Sequence, residues 1–138
     1  AEASYKVFHS GLPLYMAGVN LTRQCPVLAE DIEAMRGFGN KTGRFAAELL
    51  DFFAHGGDAH LHDPCAVASL LRPELFTRQA MHVAIETQGE YCRGCTVGDT
   101  SGKLGEDNAI CCMNVDRQGF ADLLAEAVKF YDGREVPV

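Results

Sequence analysis

AICCMNVDRQGFADLLAEAVKFY (Ala109–Tyr131) holds two periodicities in one stretch. AICCMNVD (Ala109–Asp116) is a short apolar run with the length of a strand, and Cys111 and Cys112, as neighbours in it, point to opposite faces. GFADLLAEAVKFY (Gly119–Tyr131) then places Phe120, Leu123, Leu124, Ala127 and Tyr131 on one helical face. A strand feeding directly into an amphipathic helix is the signature of layered α/β architecture.

Upstream of this unit, AMHVAIETQ (Ala80–Gln88) alternates like a strand, and EYCRGCTVGDT (Glu90–Thr100) reads as its hairpin partner. Further back the chain turns helical. CAVASLL (Cys65–Leu71) is a helix stopped by Pro73, and it follows the polar loop GGDAHLHDP (Gly56–Pro64). Thr42 is expected to cap a helix that ends at Gly56-Gly57, in which Phe45, Leu49 and Phe52 or Phe53 form a core stripe. PVLAEDIEAM (Pro26–Met35) reads as a helix starting at Pro26 and stopping at Gly37. LPLYMAGVNL (Leu12–Leu21) reads as a buried strand, and Ala1, Tyr5 and Phe8 fall on one face of a first helix closed by Gly11. The tail DGREVPV is expected to be a loop. Helices interleaved with strands give a three-layer α/β fold with a mixed sheet, a parallel portion and a late hairpin, in a single domain over 1–138. Such sheets bind ligands beyond the carboxyl ends of their strands, where the loop before CAVASLL would be well placed.

Composition narrows the function. With 47% hydrophobic and 22% charged residues the chain is globular in character, and 138 residues suffice for one core. A net charge of −7 and no basic stretch argue against nucleic acid as a partner. No apolar run approaches the ~20 residues of a membrane span. With no signal-peptide pattern either, a cytoplasmic protein with reduced thiols is expected from the six cysteines. The chain begins AEASYKVFHSG, in what already reads as a helix interior and without Met, so a processed or truncated chain is expected.

The densest polar cluster is Asp58, His60, His62 and Asp63. Imidazole offers a proton near neutral pH and a carboxylate offers hard oxygen to a cation. By composition alone, a solvated polar loop whose histidines face water is the favoured reading of these residues. Cys92-Arg93-Gly94-Cys95 has the spacing of a zinc or dithiol pair, but it lacks two further ligands at matching spacing and sits in an expected hairpin rather than at a helix N-terminus. His82 reads as a strand residue at a sheet face, and Asp99 as a turn residue capping local backbone.

HDPCAVASLLRPELF (His62–Phe76) resembles the segment of the inosine-uridine preferring nucleoside hydrolases in which an HDP or HDA triplet opens a helix. SGLPLYMAGVNLTRQ (Ser10–Gln24) is similar to the family strand that follows its DPEAA helix, and Ala1-Glu2-Ala3 to the end of that signature. RGCTVGDTSGK (Arg93–Lys103) and NAICCMNVDRQGFADLL (Asn108–Leu124) resemble the closing hairpin, strand and helix. The resemblance spans nearly the whole chain in order, and it implies the C-terminal part of a nucleoside-hydrolase-like fold. It also implies hydrolysis of a ribonucleoside to ribose and free base, with Asp63 a calcium ligand and His62 the acid toward the departing base. The family's DxDxxxDD motif, which carries the remaining calcium ligands and the general base, is absent from the sequence, and so are its Asn and Glu ribose contacts. The chain is therefore expected to be incomplete for turnover on its own. It is expected either to self-associate or to associate with the N-terminal portion. Two rivals stand beside the enzyme: a relative that keeps the fold as a binding module, and a thiol-based metal or redox protein. Between the DFF helix and the HDP triplet the sequence is shorter than in the family, so base preference is not indicated, and His55 and His60 read as solvent-facing loop residues.

Overall fold

The computed structural model describes residues 1–131, and the expected C-terminal loop lies outside the described residues. A four-stranded mixed sheet runs β1 (Tyr15–Met16), β4 (Ala109–Val115), β2 (Phe76–Ile85), β3 (Thr96–Asp99). β1 lies parallel to β4, with Tyr15 opposite Ile110. β2 is antiparallel to both β4 and β3, with a register shift at Thr77/Arg78. The parallel portion and the late hairpin are both present.

The pleat divides the core in two. Cys112 and Phe76 face one side of the sheet, where they pack with Leu21, Cys25, Cys65, Ala68 and Phe120 from α2 (Val19–Thr22), the segment after it, α5 (His62–Leu71) and α6 (Arg117–Phe130). Cys111, Met81, Val83, Ile85 and Ala109 face the other side, covered by Phe8 of α1 (Glu2–Phe8) with Leu14 and Met16. The two adjacent cysteines thus belong to different cores, as side-chain alternation along a strand requires. Helices on both sides of the sheet make the three layers.

Several local expectations are corrected. Only Tyr15–Met16 of Leu12–Leu21 is strand, because the chain leaves the sheet at Ala17 and turns into α2 after Gly18, the residue that caps that helix. The helix expected from Pro26 starts three residues later, as α3 (Ala29–Arg36). Val27 is instead held in a backbone bridge to Ala59, with Val27 N donating to Ala59 O at 2.8 Å and Ala59 N to Val27 O at 3.1 Å. Asn40, not Thr42, caps α4 (Lys41–Ala54), its side chain accepting from Gly43 N at 2.6 Å. Ala47 is the buried hydrophobic residue of that helix, whereas Phe45 (63% exposed), Leu49, Phe52 (75%) and Phe53 are exposed. The Phe stripe is therefore apolar surface rather than core. Helical spacing identified a common face, but spacing does not say which face meets protein.

Candidate functional site

The loop Asp58–Leu61 delivers the HDP triplet onto the start of α5. Leu61 is extended at the N-cap, and His62, Asp63 and Pro64 form the first turn, where a proline's missing N–H costs no intrahelical bond. An acidic side chain there is favoured by the unpaired N–H groups of the helix N-terminus.

Three contacts clamp this turn against the segment that follows β1. The Val27–Ala59 bridge, between two fully buried residues, anchors the loop from below. Thr22 Oγ1 and His62 Nδ1 are hydrogen-bonded at 2.7 Å, with Thr22 only 1% exposed. One turn further along, Cys25 Sγ and Cys65 Sγ lie 3.3 Å apart, and Cys65 Sγ also donates to Leu61 O at 3.1 Å. Hydrogen bonding to Cys25, in which Cys65 keeps the proton, and burial push the Cys65 thiol up, so at neutral pH it is a packing and hydrogen-bonding group and not a nucleophile. All six cysteines are free. The clamp sits just past the carboxyl end of β1, the position expected for a ligand site in an open α/β sheet.

The two residues singled out by the sequence emerge side by side. His62 is exposed, and among the described residues its ring is bonded through Nδ1 alone, which leaves Nε2 available. Asp63 is exposed and has no hydrogen-bond or ion-pair partner among the described residues. It stands at one end of an open groove of about 380 Å³, otherwise lined by apolar residues of α5 and α6 that include Val67, Leu71, Leu123 and Ala127. Two larger grooves, one beside β1 and one between α4 and α6, contain neither His62 nor Asp63.

The other members of the cluster separate. Asp58 is exposed in the loop. His55 ends α4 in a left-handed conformation, φ 48°, with its ring against Phe52. His60 departs from the expected solvent-facing role, since it is half-buried and its Nδ1 has no hydrogen-bond partner among the described residues. His82 lies on β2 with Nδ1 2.8 Å from Glu106 O. Asp99 accepts from Ser101 N and Oγ, Lys103 N and Leu104 N, which is the expected turn role. Cys92 and Cys95 are exposed in the turn before β3, and no group of three or more His, Cys, Asp or Glu suited to a metal occurs among the described residues. That turn is organised by Glu86, whose backbone pairs with Gly94 and Cys95 and whose carboxylate accepts from Gln88 N and Gly89 N.

Calcium takes about six to eight oxygens. Asp63 brings one carboxylate, so the described residues do not make a calcium site by themselves. Thr22 is the site residue that sequence reasoning missed. A threonine forty positions from its partner carries no spacing signal, and only the packing of α2 against α5 reveals it.

The chain is thus a three-layer α/β protein in which a His-Asp pair opens a helix beyond the carboxyl end of a strand. The chain belongs to the inosine-uridine preferring nucleoside hydrolase family, whose family model matches residues 1–122. It is 48% identical over 139 aligned residues to the pyrimidine-specific ribonucleoside hydrolase RihA of Salmonella schwarzengrund, and equally to that of Escherichia fergusonii, covering 94% of this chain and 45% of each relative. The chain thus spans a little under half the length of the curated relatives it matches. Among solved structures it resembles a purine-preferring ribonucleoside hydrolase from Gardnerella vaginalis, with TM-score 0.80 at 27% identity, covering 94% of this chain and 43% of that one. An inosine-guanosine nucleoside hydrolase shares the fold, with TM-score 0.81 at 22% identity, covering 93% of this chain and 43% of that one.

Proposed function

We propose that the protein carrying this chain hydrolyses the N-glycosidic bond of ribonucleosides, giving ribose and a free base. In this reading His62 gives a proton to the departing base and Asp63 supplies one carboxylate to a calcium site completed by oxygens from elsewhere. The observation that carries it is the pair itself: a carboxylate without a partner among the described residues, beside an imidazole that these residues engage through one nitrogen only, both exposed on the first turn of α5. Cleavage passes through an oxocarbenium-like sugar, so a proton donor at the leaving base lowers the barrier where the bond breaks. The relatives at 48% identity are named pyrimidine-specific, which makes pyrimidine ribonucleosides the first substrates to assay.

The exposed apolar residues along α4 support association of this chain with further protein, either a second copy or the remainder of a longer polypeptide. No helix among the described residues is long and apolar enough to cross a membrane, and the free thiols support a reducing, cytoplasmic setting.

The test is steady-state hydrolysis by the whole protein with calcium supplied. Asp63→Ala is expected to abolish turnover. His62→Ala is expected to lower kcat by about 10²- to 10⁴-fold, the usual worth of general acid catalysis. Unchanged turnover in folded Asp63→Ala would remove the central assignment.

A further inference from the structure

Of the six free cysteines, Cys25, Cys65, Cys111 and Cys112 are at most 1% exposed, which keeps dissolved reagents from them while the chain is folded. Cys92 and Cys95 are exposed, and they stand at the two ends of one turn. Cys95 N donates to Cys92 O at 2.9 Å, which closes a four-residue β-turn with the cysteines first and last. Gly94, third in that turn, has φ 95°, the left-handed backbone of a type II turn, which glycine takes without strain. Such a turn holds its end Cα atoms within about 7 Å of each other. Disulfides span about 4.4–6.8 Å between Cα atoms, so rotation about two exposed Cα–Cβ bonds suffices to bring the sulfurs together. The surroundings hold the turn in this shape. Gly94 N donates to Glu86 O at 2.7 Å, and Glu86 N donates to Cys95 O at 3.0 Å. Arg93 Nε donates to Thr87 O at 3.1 Å, and the same guanidinium pairs with Glu2 of α1. The backbone entropy that opposes closing a ring is therefore already lost when the chain folds, which favours one bond across the turn over two separate adducts.

We propose that Cys92 and Cys95 form a thiol–disulfide exchange site, which a low-molecular-weight disulfide such as oxidised glutathione converts to an intramolecular disulfide across the turn. One cysteine, as thiolate, attacks a sulfur of the small disulfide, breaking its S–S bond, forming a mixed disulfide and expelling one small thiolate. The other cysteine then attacks the protein sulfur of the mixed disulfide and expels the second small thiolate. The two protein sulfurs are oxidised, the small disulfide is reduced to two thiols, and the two protons lost by the cysteines end on those thiols. The closed ring fixes the turn that carries Arg93, the residue that ties the β2–β3 connection to α1. Cys25 and Cys65 stay reduced in the folded protein although their sulfurs lie 3.3 Å apart, because access decides which thiols exchange. The site is one of modification, and it is independent of the roles given to His62 and Asp63.

The test is made on the whole protein and needs no turnover. Wild type is incubated with excess oxidised glutathione, quenched with acid, unfolded, alkylated and mapped by peptide mass spectrometry. The expected product is a Cys92–Cys95 disulfide that dithiothreitol reverses, with Cys25, Cys65, Cys111 and Cys112 recovered as alkylated thiols. Cys92→Ser and Cys95→Ser are each expected to accumulate one glutathione on the remaining cysteine of the pair, since no second thiol displaces it. Wild type that ends with both thiols free, or with glutathione on each, overturns the proposal, and this result does not depend on how any variant folds. Gly94→Ala then tests the turn. A side chain is strained at this φ, and the open turn can relax where the closed ring cannot, so the ratio of disulfide to dithiol in a fixed glutathione buffer is expected to fall about fivefold. An unchanged ratio in that variant overturns the part assigned to the turn's geometry.

Discussion

Gly43 lies where α4 crosses α3, and a single methyl added there tests how closely the two helices are packed. A Cβ at this position would stand 2.4 Å from the backbone oxygen of Met35, 3.0 Å from Asn40 Oδ1 and 3.3 Å from Phe38 Cβ. Two effects oppose each other. Alanine in place of glycine favours a helix by at most about 1 kcal/mol, and by less in the first turn, where Gly43 sits. Against this, the nearest contact is about 1 Å short of ordinary separation, and it is made with backbone rather than with a side chain that can swing away. Overpacking costs about 1–3 kcal/mol, and an unyielding backbone neighbour places this case at the upper end. The expected net loss for Gly43→Ala is therefore about 2 kcal/mol. Gly57→Ala is the matched control, since its added Cβ would meet nothing closer than Ala54 O at 3.5 Å. It is expected to be neutral or to stabilise by up to about 1 kcal/mol. Urea unfolding of both variants decides, read as a shift in midpoint at constant m-value. Equal midpoints for the two variants would refute the close approach of α3 and α4.

Asn40→Ala is expected to cost about 1 kcal/mol by removing the α4 cap, while Thr42→Ala costs less than half as much, because Asn40 and not Thr42 accepts from Gly43 N; thermal or urea unfolding of the two variants compares them. Hydrogen bonds from Leu104 N, then from the Ser101 hydroxyl, outweigh burial and hold the Asp99 carboxyl well below the usual carboxylate range. A depressed folded-state pKa contributes stability that is present above the unfolded value, about 3.9, and is lost as pH falls through the folded value. The stability gap between wild type and Asp99→Asn, measured by urea unfolding, should therefore be constant near neutrality and shrink as the pH is lowered below about 4.

What was legible in the sequence was local. The switch from strand to helix periodicity at Ala109–Tyr131 and the hairpin toward Asp99 reappear, because each is encoded by residues within a few positions of one another, while the helix read from Cys65 begins three residues earlier, at His62, as the family resemblance implied. The opposed faces of Cys111 and Cys112 follow in the same way from backbone alternation. Readings failed where the outcome depended on distant partners. The apolar run Leu12–Leu21 has the composition of a strand throughout, yet β4 pairs with only Tyr15 and Met16 before the chain turns into α2. The aromatic face of α4 has core spacing, yet the neighbouring helices cover its other side, at Ala47.

By itself the sequence determined the fold class and the order of most elements, through short windows whose hydrophobic period and turn chemistry are self-contained, while the roles of His62 and Asp63 come from the family resemblance and stand as a proposal. Tertiary structure alone decided which faces are buried, how Val27 and Ala59 tie the loop before α5, and that a threonine forty residues away holds the histidine ring. The physical reason is that burial and hydrogen-bond satisfaction are properties of pairs brought together by packing, and no local pattern records a partner that only the folded chain supplies.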